Sequence, residues 1–437
     1  MASSRIRSST MSLGWTNGRT KSSPLIPHEV WLHIFELATF VPGILDPDIH
    51  DPFESASPLD EALLPYRKDA LEISQSLATR RALVGVCKLW RALVSPLLYQ
   101  AVVIRNVRQL EALHGVLCST GSHGTTLGSF VRRLDVVDID FVMEPEVLTT
   151  LAPLVGCLSR LRVLNLQGEL HADNRDVATR LSETLGANCS STLQKLIWDV
   201  DPPPASAAFG ALLARFQNLR TCVVGFHDDL ADDLCLLDFP ALPELRFSTL
   251  VHSVLPDSCA VSRHAIAPPH LTQALFHEIR DVSEHCVEGF LTAAGSPLTT
   301  AYFLVYASLA SAQCEHLTRF CPRLRHVVLA MADWGWLFQG DEAEGPYFSS
   351  ITHLGLYSSQ VNASRKMYQQ VFGWLRFRLP SSVKVVRFLN PDGVAALRRG
   401  HFGTLMAALS VLPKGLRVED HEGNALGIRI TSDVVVQ

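Results

Sequence analysis

The sequence carries little charge and almost no excess of either sign. Of its 437 residues, 38 are Lys or Arg and 43 are Asp or Glu, a formal charge of −5. That near-balance excludes the basic footprint of a general nucleic-acid or membrane-surface binder. The ten cysteines include no C-x-x-C pair, so neither a redox motif nor a zinc ribbon is spelled out. Several, Cys87 and Cys222 among them, stand where a small apolar residue would serve. The expectation is buried free thiols in a reducing compartment, cytoplasmic or nuclear, with no disulfide frame. A membrane-spanning run is also lacking. Residues 291–314 are free of charge, but Gly295, Ser296 and Pro297 break the stretch and Thr299, Thr300, Ser308 and Ser311 dilute it. A buried turn–strand–helix unit is expected there instead.

Catalytic and metal-binding constellations are absent as well. Gly121-Ser122-His123-Gly124 has no Gly-Lys-Ser/Thr after it, and no G-x-S-x-G elbow occurs. His28 and His33 are five apart rather than four, so they point to different faces of a helix. Cys314, His316, Cys321 and His326 follow no zinc spacing, and Asp228, Asp229, Asp232 and Asp233 lack the alternation and glycine of a calcium loop. The expectation is no catalysis, no metal and no cofactor.

What is present is apolar pattern. Residues of apolar type make up 47% of the chain, enough for an extensive core. Residues 1–23 carry Arg5, Arg7, Arg19 and Lys21 with no acid and no recurring apolar face. A disordered basic tail is expected in preference to a presequence. Pro27 then opens a helical pattern with two stripes, Val30/Ile34/Leu37 and Trp31/Phe35/Ala38. A helix this short, apolar on two sides, needs cover on both. Prolines and acids crowd residues 44–76, with Asp46, Asp48, Asp51, Glu54 and Asp60 among them. An exposed, dispensable insertion is expected. Helical periodicity returns at about Leu77 and runs through Leu83, Val86, Cys87, Trp90, Leu93, Val94 and Leu97 on one face.

Three phrases in this region resemble the F-box. Ile26-Pro27-His28-Glu29-Val30 with Ile34-Phe35 is similar to its opening. Val86-Cys87-Lys88-Leu89-Trp90 is similar to its second half, and Pro96-Leu97-Leu98-Tyr99 to its exit. The insertion at about 44–76 departs from most F-boxes but resembles an expanded fungal group, as does Phe40-Val41-Pro42-Gly43. The resemblance covers roughly residues 24–104 and implies a small all-helical module, spanning 24–97, that binds a Skp-type adaptor. It places Pro27, Val30, Ile34 and Phe35 in the contact region and Trp90 in the supporting core. A helical cap on the rest of the chain is the plainer alternative.

From residue 98 to 437 a pattern of apolar-x-x-apolar-x-apolar recurs. It begins at Leu98/Ala101/Val103 and continues through Val131/Leu134/Val136, Leu161/Leu164/Leu166, Leu193/Leu196/Trp198, Leu219/Cys222/Val224 and Leu242/Leu245/Phe247. Five further copies follow, from Leu271/Ala274/Phe276 to Val383/Val386/Phe388, at 23 to 33 residues throughout, and helical patterns such as 147–155, 209–216 and 367–375 fill the gaps. Strand then helix at such a period predicts an α/β fold: a curved solenoid with an inner parallel sheet. Residues 158–166 and 321–329 resemble repeats of F-box proteins with irregular leucine-rich repeats; the consensus asparagine is missing, with Glu169 near its place.

If the fourth and sixth positions of each unit face the core, the fifth lie on the inner face. That row includes Asn165, Ile197, Val223, Arg246, Leu275, Tyr302, Val328, Gly355 and Arg387. Ile197, Val223, Leu275, Tyr302 and Val328 would form an apolar strip, with His326, His353, Tyr357 and Arg387 near its far end. Such a strip rimmed by polar groups is expected to hold a target protein, unless loops or the C-terminal tail cover it or the register is wrong by one residue. The aromatic run Asp333-Trp334-Gly335-Trp336-Leu337-Phe338 is a second candidate anchor, or a cover that folds back.

The resemblance implies a non-catalytic substrate-recognition subunit of a cullin-RING ubiquitin ligase, joined to the cullin through the adaptor, and nothing in the composition calls for a nucleic-acid or membrane partner. A repeat scaffold without a ligase role, and an enzyme on an unrelated α/β fold, stay open as other classes.

Overall fold

The computed structural model describes residues 26–54, 65–118, 126–137, 142–143, 145–170, 175–201, 206–224, 249–252, 270–276, 288, 291–292, 295–305, 311–338 and 350–427. It is a mixed α/β structure built on one parallel sheet.

Three helices come first: α1 (His28–Ala38), α2 (Pro65–Val86) and α3 (Lys88–Leu98). The sequence suggests one helical face running from Leu77 to Leu97, but the chain breaks at Cys87. Its backbone is extended there, and its sulfur accepts from the Trp90 amide at the start of α3. Cys87 is therefore an exposed cap and not a core residue. α2 also starts well inside the segment expected to be an insertion.

The sheet follows. Its strands are β1 (Ala101–Ile104), β2 (Arg133–Val136), β3 (Val142–Met143), β4 (Val163–Leu170), β5 (Lys195–Asp201) and β6 (Thr221–Val224). They continue as β7 (Thr249–His252), β8 (Gln273–Phe276), β9 (Thr300–Val305), β10 (His326–Met331), β11 (His353–Ser358), β12 (Val385–Phe388) and β13 (Arg417–Glu419). Each strand pairs in parallel with the next in chain order, β3 alone lying to the side of β4. Ala101, Arg133, Val163, Lys195, Thr221, Thr249, Gln273, Thr300, His326, His353, Val385 and Arg417 form one aligned row, 24 to 32 residues apart.

Helices fill most gaps: α4 (Val107–Leu117), α5 (Pro145–Gly156), α6 (Arg175–Asn188), α7 (Ser206–Arg215), α8 (Ser311–Phe320) and α9 (Arg365–Arg378). Near the end come α10 (Pro391–Gly400) and α11 (Phe402–Leu409). Their starts are locally encoded: Asn106, Ser364 and Asn390 each accept from a first-turn amide, and Pro391 follows Asn390 where its missing N–H costs nothing. Because side chains alternate along a strand, Leu134, Leu164, Leu196, Cys222, Val327, Leu354 and Val386 point toward the helices, as do their second neighbours. With Leu110, Leu151, Phe209, Val371 and Leu397 from the helices they form one continuous core.

Two repeat registers differ from expectation. The first unit is Tyr99/Val102/Ile104, one residue later than Leu98/Ala101/Val103, since Val102 and Leu134 are ladder partners. The strand beside β6 is β7, so the unit is centred on Leu250 and not on Leu245; residues 242–247, with Arg246, lie outside the described residues. Val251 takes the sheet position expected for Arg246. The uncharged stretch 291–314 contains β9 and the start of α8. Among the described residues no helix is long and apolar enough to cross a membrane.

The thiols also depart from expectation. Cys118 and Cys157 form a disulfide between the end of α4 and the turn after α5. Neighbouring helices bring the two to a Cα separation of 5.7 Å, which their 39-residue spacing could not reveal. Cys189, Cys222 and Cys321 are free, and burial pushes each thiol up to about 12. They pack as small apolar groups.

Candidate functional site

Two surfaces gather the residues singled out from sequence. The first is the exposed side of α1. Trp31 and Phe35 turn inward and pack on Trp90 of α3, with ring centroids 4.9 and 4.8 Å away. Phe35 is 1% exposed, so it belongs to the supporting core and is not a contact residue. The other stripe has no cover among the described residues. Val30, Ile34 and Leu37 are 45%, 42% and 65% exposed, and Ile26 and Phe40 extend the patch. Pro27 caps the same end and is exposed. Val86 and Leu89, flanking the α2–α3 break, are exposed too. The expectation that both stripes would be covered fails for this one.

Behind that helix, Arg80 of α2 donates to the carbonyls of Leu97 and Thr39, and Ser76 donates to Thr39 as well. These bonds tie the ends of α1 and α3 to α2. Together with residues 40–47 they enclose a cleft of about 560 Å³.

The second surface is the sheet face away from the helices. The strip expected there exists in the expected register, but it is not open. Ile197, Val223, Leu275, Tyr302, Val328, Tyr357 and Arg387 are all buried. Among the described residues their cover is neither a repeat loop nor the C-terminal tail. It is residues 44–54, from the segment read as an exposed insertion. Ile49, with Phe53 against it, joins Ile197, Val223, Leu275, Tyr302, Val328, Ala330, Tyr357 and Leu389 in a second apolar cluster.

This strap crosses the strands in order. The Ile44 carbonyl accepts from Arg133 of β2 at 3.0 Å. Asp48 pairs with Arg220, just before β6, at 3.0 Å. The His50 carbonyl accepts from Tyr302 of β9 at 3.5 Å. Asp51 Oδ2 accepts from Thr300 Oγ1 at 2.6 Å and pairs with His326 Nδ1 at 2.6 Å. Arg387 of β12 donates to the Pro52 carbonyl. Phe53 lies against His326, His353 and Arg387, at 5.0, 5.1 and 5.2 Å.

From β2 to β12 there are nine strand steps, and the strap lies along this face, the inner face of the sheet, from its contact with Arg133 to its contact with Arg387.

The electrostatics match the geometry. The aligned row beside the apolar strip is mostly polar and carries no acid; Arg133, Lys195, His326, His353 and Arg417 are its basic members. The strap brings Asp46, Asp48, Asp51 and Glu54. Burial pushes the Asp51 carboxyl upward, but the hydrogen bonds from His326, Thr300 and the Phe53 amide, with the His326 charge, outweigh it; the carboxyl sits below its ordinary 3.8. Burial and neighbouring His326 hold His353 below its ordinary 6.5. Tyr302 is raised, by burial first and then by Asp51 and Glu54. Beneath Arg387, Glu419 accepts two of its N–H groups at 2.7 and 2.9 Å.

The other candidates separate. Cys321 faces the core while His326 faces the strap, and no metal-binding group of His, Cys, Asp and Glu occurs among the described residues. Trp334 folds back onto Phe388, and Leu337 and Phe338 pack on the core. Asp228 to Asp233 lie outside the described residues.

No family model matches the chain, and no curated protein matches it. Among solved structures that match is one described as the crystal structure of the Rad7 and Elc1 complex in yeast. It is 15% identical, over 76% of this chain and 90% of that one, with a TM-score of 0.24. A likeness that distant carries no argument about the function of this chain.

Proposed function

We propose that this chain is a non-catalytic adaptor, in which the N-terminal helices act as an F-box that binds a Skp-type protein of a cullin-RING ubiquitin ligase. The curved strand–helix array acts as a leucine-rich-repeat solenoid that selects the protein to be ubiquitinated. One observation carries the reading: among the described residues the apolar stripe Ile26, Val30, Ile34 and Leu37 lies bare on a helix whose other side packs Trp31 and Phe35 on Trp90. A soluble module leaves such a stripe open where a partner covers it. It coincides with the residues through which the chain resembles an F-box, Phe35 excepted.

The test is co-purification of a Skp-type adaptor with the full chain carrying Val30→Asp and Ile34→Asp. Retrieval is lost while the melting temperature stays at the wild-type value. Undiminished retrieval removes the ligase reading and leaves a repeat scaffold.

A further inference from the structure

The proposed role needs a surface for the target, yet the inner face of the sheet is already filled by residues 44–54. The way it is filled is specific. Ile49 occupies the apolar strip. Two positions on, Asp51 is 4% exposed, held by a hydroxyl, an imidazole and the backbone amide of Phe53. The next carbonyl, on Pro52, is read by Arg387, and the Phe53 ring is seated among His326, His353 and that same guanidinium. Apolar pocket, carboxylate notch, carbonyl donor and aromatic slot follow one another along the groove. That is how an extended peptide is recognised.

The strap is held differently from the rest of the fold. Among the described residues, its backbone–backbone hydrogen bonds stay local: Ile44 to Val41, Asp46 to Gly43 and Glu54 to Asp51. It adds no strand to the sheet. Nearly all its grip comes from side chains of the sheet reaching up to it. The face also offers more than the strap uses, since Asn165 Oδ1 and Thr221 Oγ1 are buried on it without a hydrogen bond.

Resting on the recognition role proposed for the array, we propose that this face is a receptor for an extended acidic segment of the target protein. That segment carries an apolar residue, then Asp two positions later, then Pro and an aromatic, and Ile49-His50-Asp51-Pro52-Phe53 is its internal counterpart. The strap and the target segment compete for one groove. Attached at the site, the strap is present at an effective concentration of about millimolar. Free peptide in the micromolar range cannot displace it; a target must bring additional contacts or bind when the strap is out.

The experiment uses the full chain with Asp51→Asn and Phe53→Ala, which removes the carboxylate and the aromatic anchor, and the single variant Asp51→Asn as a milder opening. The probe is a fluorescent synthetic peptide of residues 44–54, read by anisotropy. The opened chain is expected to bind it at least about tenfold more tightly than wild type does, since two anchoring side chains are lost from the internal competitor. A peptide with the same two changes is expected not to bind, and adding Arg387→Ala to the opened chain is expected to abolish binding. Hydrogen exchange of residues 44–54 verifies that the strap has lifted. If it lifts and the peptide does not bind, the face is a structural contact and the proposal falls. If neither variant folds, the strap is obligatory core and the proposal falls equally. Adaptor retrieval through α1 is measured on the same variants, so loss of the ligase reading is scored separately.

Discussion

The two faces of the sheet are closed in opposite ways. On the outer face, helices return after most strands, and the side chains between them form one continuous apolar core. On the inner face one segment of eleven residues closes a strip that runs most of the length of the sheet, and half its hold is polar. The outer face is specified by each unit for itself. The inner face depends on a segment that precedes the whole array and on a handful of distant side chains. Such a contact can be lost without losing the sheet, whereas the core cannot.

The sharpest way to break the comparison is to damage each face in turn. Trp198 is fully buried against Phe209, with ring centroids 5.6 Å apart. Trp198→Ala is expected to cost about 4 kcal/mol through lost packing and the cavity left behind. Thermal unfolding reads this as a fall of many degrees, or as an insoluble product. Glu419→Ala comes next. It strips the buried Arg387 guanidinium of two bonds, and about 3 kcal/mol is expected. An inner-face loss as large as that of Trp198→Ala would erase the distinction between the faces.

Phe53→Ala is expected to cost only about 1–2 kcal/mol, because the ring is half-buried and its site opens to solvent. Its signature is local: exchange of the strap amides rises while the amides of β4 to β6 stay protected. pH sharpens the same point. His353 has a folded pKa below 6.5, so the unfolded chain takes up the proton first. Stability is then full above 6.5 and declines as pH falls from there toward the folded value. Asp51, lowered beneath 3.8, keeps its contribution through that range and loses it only in stronger acid. Denaturant midpoints across about pH 4 to 8 check the sign, and His353→Phe is expected to flatten the slope. Smallest in stability is the α1 stripe. Val30→Asp with Ile34→Asp should move the unfolding free energy by about 0.5 kcal/mol or less, although adaptor retrieval disappears.

Sequence legibility followed the same division. The outer face could be read because each unit repeats its own apolar spacing, and the strand columns from Leu164 to Val386 fall where the pattern puts them. It slipped by one residue at Ala101, where a helix runs straight into the strand and both neighbouring residues are apolar. It failed at Leu245, where a chance match precedes the paired strand. The inner row was legible too from Asn165 to Arg387, except that Val251 stands where Arg246 was expected. Its cover was not. Prolines and acids at 44–54 read as a solvated loop, because composition reports affinity for water and says nothing of the hydroxyl, imidazole and guanidinium partners elsewhere in the chain. The available signal was a pairing of patterns: Ile49 and Phe53 set among acids, facing Arg133, Lys195, His326 and His353 across the array. On α1 the residue types were clear, but only the fold tells that Phe35 is spent on Trp90 while Ile34 is not.

The span of the strap has a consequence for cooperativity. An array whose units touch only their neighbours melts like a one-dimensional chain, fraying from its ends with little communication along its length. Here the Pro52 carbonyl meets Arg387, 335 positions away in sequence, and Ile44 meets Arg133 at the other end. A bowstring of this kind closes the line into a ring. Loosening the unit at either anchor then releases the string, and the units between lose their common inner contact at once. Unfolding of the intact chain should be steeper than that of a chain with the string cut, even where the midpoints nearly agree. The steepness of that transition, more than its position, would then measure how far the two ends of the array sense each other.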